Sequence, residues 1–277
     1  MKHRYWLLLL TLPFLIFLVA FEILPLWQII VASFHSSNGV LGLGNYKTIL
    51  TSPFYKQAMV FSLKISLYSS VLGIIIACWG VSSIRRVNHR WQNVIISFVN
   101  MTSNFAGVPL AFAFIILLGF NGVLTIVLRD WGLLHGFSLY TTVGLTVVYT
   151  YFQIPLGILF LYPAFNALNE EWRESAALLG ASHYHYWRRI ALPILTPAII
   201  GTFVVLLANA LGAFATVYAL TGGNFNMVPV RIAALVSGDL FLDPNLASAL
   251  AVLLILLLAV ITIVQQLLLK RSRHAKG

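Results

Sequence analysis

The chain has 277 residues, 60% of them hydrophobic and 9% charged, and a formal net charge of +10. Soluble globular proteins are about 45–50% apolar and about 25% charged, so too few charged groups are present here to cover a water-facing surface. Disorder and collagen-like structure are excluded by the same figures, which leaves an integral membrane protein; six apolar runs of helix-spanning length make the expected class all-α.

A helix that crosses a hydrocarbon core of roughly 30 Å needs about 20 apolar residues. Six runs meet this, and spans are expected at about 6–34, 61–84, 93–120, 140–167, 194–220 and 246–269. The first run follows Lys2 and Arg4 like a signal peptide, but it is too long and lacks a small-residue cleavage site. Glu22 is the one acid inside a span; such groups face a protein interior or water, so it is a candidate pathway residue, with structural pairing as the alternative. Turn signals follow at Asn38-Gly39, Gly44-Asn45 and Ser52-Pro53. The second run holds Cys78, the only cysteine, which reads as a small core residue and permits no intrachain disulfide.

The third run begins with a polar cluster, Asn100, Thr102, Ser103 and Asn104. The fourth contains Pro155, expected to bend its helix. The fifth carries Asn209, Gly212, Phe214, Thr216 and Tyr218. Polar side chains in spans either line a cavity or bond neighbouring helices, so Asn104, Asn209, Phe214, Thr216 and Tyr218 join Glu22 as candidate pathway residues. Asp243 and Pro244 read as N-cap and first helical residue of the sixth span. No separate soluble domain is apparent, so residues 1–277 are read as one transmembrane domain.

With the N-terminus placed inside, the inner segments hold 12 Lys+Arg: Lys2 and Arg4; Arg85, Arg86 and Arg90; Arg173, Arg188 and Arg189; and four in the tail from Lys270 to Lys276. The outer loops hold 4 (Lys47, Lys56, Arg129 and Arg231), with Lys64 at a membrane edge. This asymmetry follows the positive-inside rule and puts both termini in the cytoplasm. It accounts for the basic charge without nucleic acid.

Residues 169–193 form a cytoplasmic loop, NEEWRESAALLGASHYHYWRRIALP. Two short interfacial helices with a bend are expected. Asn169 caps the first, and Glu170, Glu171 and Glu174 favour its positive end. Gly180 permits either a tight turn or a close backbone approach. Ser182 caps the second helix, and Arg188 and Arg189 sit near its C-terminal end, where the dipole favours cations. Physically the segment is either an amphipathic element resting on headgroups or a docking element. His183 and His185 are two apart on a helix and share no face for a metal.

Glu174, Ser175, Ala176, Gly180, Ile190, Leu192 and Pro193 resemble the EAA loop of ABC importer permeases. That pattern is Glu-Ala-Ala, three residues, Gly, nine residues, Ile, one residue, Leu-Pro. The one departure is Ser175 in place of the first alanine, and serine is also small. The six-span layout, Ser33-Phe34, Gly44-Asn45-Tyr46 and Gly212–Gly223 extend the resemblance to type I permeases of the polyamine, thiamine, iron(III) and sulfate group.

The resemblance implies a non-enzymatic permease subunit of the bacterial or archaeal inner membrane. Its loop would dock as a coupling helix on a separate ATPase, which binds ATP and Mg. This chain has no phosphate-cradling G-x-x-x-x-G-K-[ST] loop and binds no cofactor itself. The implied partners are two ATPase subunits, a second permease (a copy or a paralogue), a periplasmic or lipid-anchored solute-binding protein, and membrane lipid. Glu22 with Asp130, Asp239 and Asp243 favours a cationic solute such as a polyamine, against the four outer bases. A secondary transporter or an integral membrane enzyme is the alternative. The first would show more intramembrane charge or repeats, and the second a nucleophile or metal constellation.

Overall fold

The computed structural model describes residues 11–36, 39–132, 136–238 and 242–274. Residues 6–10 of the expected first span, Asn38 and Asp239 lie outside them. The described residues are helical apart from turns and a single bridge between His35 and Leu41. The helices are α1 (Thr11–Ser33), α2 (Gly44–Thr51), α3 (Pro53–Ile84), α4 (His89–Ser103), α5 (Val108–Leu118) and α6 (Val123–Asp130). There follow α7 (Thr142–Asn166), α8 (Glu170–Leu178), α9 (His183–Gly212), α10 (Phe214–Thr221), α11 (Val228–Ser237) and α12 (Pro244–His274).

Six stretches are long and apolar enough to cross a membrane: α1, α3, Val108–Asp130, α7, α9 and Pro244–Leu267. The expected span at 93–120 is corrected. The chain there is broken between α4 and α5, and the apolar stretch is Val108–Asp130. The break follows from Gly107, at φ +71, with Pro109 in the first turn of α5. The expected span at 194–220 is corrected as well. Its helix already begins at His183, stops at Gly212, and resumes as α10 after a non-helical Ala213 at φ −74, ψ 83. The fourth and sixth spans fall where expected, and Asp243 caps α12 by accepting the Leu246 N–H at 3.0 Å.

The chain forms two compact units. One runs to Ala58 and takes in Arg231–Leu258; the other is Met59–Val230 with the chain beyond Ala259. In the first unit, α1 passes through a π-turn at Val19–Ile23, just before Pro25. Proline lacks the N–H that would close a regular turn, and the wider register absorbs the loss. The end of α1 is held by α2. The Asn45 amide donates to the Ser33 and His35 carbonyls at 3.1 and 2.9 Å, and the Tyr46 hydroxyl donates to Ser33 Oγ at 2.7 Å. Asn45 thus satisfies carbonyls that a helix end leaves orphaned. The Arg231 guanidinium lies 5.2 Å from the centre of the Phe54 ring, and burial pulls it below its ordinary pKa.

The second unit holds two apolar cores. One gathers Ile74, Ala77 and Val81 of α3 with Ile158, Leu161 and Phe165 of α7, and with Leu195 and Leu206 of α9. The other gathers Ile65, Leu110, Leu145, Val148 and Tyr149 with Val217 and Leu220 of α10. Lipid is as apolar as these side chains, so close packing of small residues, not water exclusion, brings spans together. A Cβ added to Gly73 would stand 2.8 Å from Gln153 Cβ, and one added to Gly157 would stand 2.9 Å from Ala77 Cβ. The backbones of α3 and α7 therefore touch along a glycine–alanine seam.

Candidate functional site: a hinged loop helix and paired helix breaks

The loop 169–193 is a helix, a left-handed turn and the start of a spanning helix. Asn169 Oδ1 accepts the Glu171 N–H at 3.1 Å, so the expected cap is present, and Glu170 pairs with Arg173 one turn on. Helix α8 ends in a reciprocal pair of turn bonds. The Gly180 N–H donates to the Ala177 carbonyl and the Ala181 N–H to the Ala176 carbonyl, each at 2.9 Å. This is a Schellman end, with Gly180 at φ +80 as the left-handed residue. A Cβ there would meet nothing within 4 Å, so the glycine is set by backbone conformation and not by close approach within this chain.

Ser182 caps the next helix, its Oγ accepting the His185 N–H at 3.3 Å. The expectation of a separate second interfacial helix is corrected. Helix α9 continues without interruption through a π-turn at Trp187–Ala191 into the fifth span. Arg188 and Arg189 therefore lie inside a helix and not at its C-terminal end, and the dipole argument for them fails. The π-turn precedes Pro193 as the one in α1 precedes Pro25, with the same physical cause.

The seven loop positions divide by exposure. Ala176 is 7% exposed and faces the core, and Ile190 and Pro193 are half-buried. Glu174, Ser175, Gly180 and Leu192 are exposed. Sequence reasoning missed Leu178 and Leu179, which are 90% and 88% exposed at the tip of α8. Two leucines held out by a capped helix end have no packing role within this chain. Their signal was a leucine pair just before the turn glycine, at the end of a helix that opens on charged residues.

Inside the second unit, the two helix breaks lie side by side. The Gly107 N–H, freed by the first break, donates to Thr216 Oγ1 at 3.1 Å. The Ala213 carbonyl, freed by the second, accepts from the Tyr149 hydroxyl at 2.7 Å. Irregular backbone at membrane depth survives only where protein or a water-filled cavity satisfies it, and broken spans are where transporters hold solutes.

The candidate pathway residues fall unevenly around these breaks. Thr216 is buried and spent on Gly107. Tyr218 is exposed and Phe214 half-buried, their ring centres 5.0 Å apart. Asn104 is exposed at the end of α4, its amide donating to the Asn100 carbonyl at 3.0 Å. Asn209 is exposed on α9, one turn before the break. Glu22 belongs to the other unit and is exposed on the π-turn of α1. A further residue was missed. Gln153 is fully buried, and its amide donates to Ser70 Oγ and to the Leu206 carbonyl, both at 2.9 Å, tying α7 to α3 and α9. An amide two residues before Pro155 in an apolar run was the available signal, because such a group must find partners in the membrane.

Residues 69–274 match the model of the family described as binding-protein-dependent transport system inner membrane component. The chain is 25% identical over 219 residues to the spermidine/putrescine transport system permease protein PotB of Haemophilus influenzae, covering 76% of each chain. It is 27% identical over 288 residues to the sn-glycerol-3-phosphate transport system permease protein UgpA of Escherichia coli, covering 95% of this chain and 94% of that one. In fold it is similar to a chain of a bacterial ABC transporter involved in import of the acidic polysaccharide alginate. There the TM-score is 0.77 at 19% identity, over 100% of this chain and 98% of the other.

Proposed function

This chain belongs to the family of binding-protein-dependent transport system inner membrane components and is a multi-pass permease subunit of an ABC importer; from that premise we propose that α8 is its coupling helix and that the paired breaks border its solute pathway. ATP hydrolysis belongs to a partner ATPase. The observation that carries the coupling reading is the construction of the loop. A helix capped at both ends presents Glu174, Leu178 and Leu179 outward, and a four-residue turn joins it to a helix that runs unbroken from His183 to Gly212. A push on α8 is thereby passed to the fifth span with little slack. Glu174 supplies a charge-assisted contact, the leucines an apolar one, and Ser175 leaves room for close approach. Ala176, Ile190 and Pro193, buried or half-buried, hold the loop to the span, and the exposed Leu192 adds to the docking face.

The partners on this reading are two ATPase subunits that bind ATP and Mg, a second permease, and a solute-binding protein at the outer face. The basic segments support an orientation with both termini in the cytoplasm, and a binding-protein-dependent importer fits a bacterium or archaeon. For the pathway, Asn104, Asn209, Phe214 and Tyr218 are the side chains near the breaks with surface to offer a solute, and Thr216 shapes the break itself. Glu22 is assigned to the pathway on charge alone. The solute is a small polar molecule. A polyamine is one candidate, supported by Glu22 and the exposed Asp130, whereas Asp243 is occupied as a helix cap. The relatives carry names as different as spermidine/putrescine and sn-glycerol-3-phosphate permease, so the cation is one option among several.

The test is solute uptake by the reconstituted importer, with the ATPase copurified. Glu174→Gln is expected to cut uptake at least tenfold while the protein still inserts, and Leu178→Ser with Leu179→Ser to lose the ATPase on purification. Wild-type uptake and ATPase recovery in both would remove α8 from coupling.

A further inference from the structure

Beside α8, on the side of the spanning helices, lies a cleft of about 530 Å³ that the transport reading does not use. The end of α3 and the turn after it supply Ser82, Arg85 and Arg86; α8 supplies Arg173, and the first turns of α9 supply His183 and Trp187. The Ser82 and Tyr186 hydroxyls and the His183 ring can donate or accept, but the charged groups are three cations against one carboxylate. Three guanidinium groups carry five N–H donors each and no acceptor. Arg85 spends one on the Leu168 carbonyl at 2.8 Å, which fixes its fork at the wall of the cleft. The one carboxylate, Glu170, is already paired with Arg173. Arg86 is exposed and makes no side-chain hydrogen bond among the described residues. A concave site with a surplus of forked donors is built for an anion with several oxygens.

The position of the cleft along the helices narrows the anion further. It opens within a turn of the ends of two helices long and apolar enough to cross a membrane, Pro53–Ile84 and His183–Gly212, with the Trp187 indole beside it. Trp and Arg at span ends lie at the level of lipid phosphates, and basic pockets between spans take anionic headgroups. We propose that this cleft binds a phosphate-bearing anion, supplied by the headgroup of an anionic membrane lipid, through Arg85, Arg86 and Arg173. Bound there, one phosphate bridges the end of α3 to α8. Its effect on transport rests on the coupling reading above, but its binding does not.

The experiment uses the full-length chain, delipidated in detergent and then given phosphatidylglycerol, phosphatidylcholine or inorganic phosphate. Native mass spectrometry counts bound lipid, and thermal unfolding reads stabilisation. Phosphatidylglycerol is expected to be retained and to raise the melting temperature above the phosphatidylcholine value. Arg86→Gln is expected to weaken binding about tenfold, the size of one lost charge-assisted contact. Arg86→Lys, which keeps the charge but not the fork, is expected to recover part of it, and this pair separates a binding defect from a folding one. Equal stabilisation by inorganic phosphate alone would keep the site and assign it to free phosphate. Retention of phosphatidylglycerol no greater than of phosphatidylcholine, with no effect of phosphate, overturns the proposal even if every variant misfolds, because that comparison uses the wild type. Undiminished binding by Arg86→Gln and Arg173→Gln overturns it too. None of these readouts depends on uptake, so failure of the coupling reading would not be confused with failure of this one.

Discussion

Gly180 and Gln153 show how much a single position decides. At φ +80 a Cβ is strained even in open space, so Gly180→Ala should cost about 1 kcal/mol. Asn tolerates the left-handed region better, and Gly180→Asn should cost less. The ordering of the two variants in thermal unfolding and in uptake checks this; a loss of uptake that is equal in both would point to a steric role against the ATPase instead. Gln153 holds three helices by two donated bonds. Gln153→Ala leaves the Ser70 hydroxyl and the Leu206 carbonyl short of a partner and opens a void, which should cost about 1–3 kcal/mol in detergent melts. Asn209→Ala, at an exposed position, should leave the melt unchanged, and this contrast separates packing amides from those with surface to offer a solute.

Among elements, the glycine–alanine seam and the π-turns matter most. Helices α3 and α7 approach so closely that any side chain at Gly73 collides with Gln153. Gly73→Leu should therefore destabilise by about 1–3 kcal/mol through overpacking, visible as a lowered melting temperature and poor recovery from membranes. A neutral result would mean that the seam opens easily, which the rigid packing of the two cores argues against. The π-turn before Pro193 has another consequence. It lets a proline sit inside a long helix without ending it, so α8 is linked to a continuous rod and not to a loose joint.

For the molecule as a whole, the charge asymmetry predicts an orientation. A C-terminal fluorescent-protein fusion should be bright and a C-terminal alkaline phosphatase fusion inactive, as for a cytoplasmic end. The reverse pair of activities would invert the topology, and would place α8 outside, away from any ATPase.

The sequence by itself determined the class, the number of spans, the bounds of the fourth and sixth to within a few residues, and the loop that identifies the family, whereas the second, third and fifth helices begin or end eight or more residues from the expected bounds. These depend on composition, on the length of apolar runs and on local spacing, all of which act along the chain. The caps at Asn169, Ser182 and Asp243 were legible for the same reason, since each acts within three residues. Only the tertiary structure decided that α9 swallows the second half of the loop, that the third and fifth runs are broken, and that Thr216 closes one break while Tyr149 closes the other. A broken helix in a membrane is stable when a partner far along the chain satisfies its freed N–H or carbonyl. Gly107 and Thr216 are 109 residues apart, and no local pattern links them. The donors of the neighbouring Arg85 and Arg86 and of Arg173 likewise lie on segments distant in sequence. Read singly they mark an orientation; brought into one cleft they make a place for an anion.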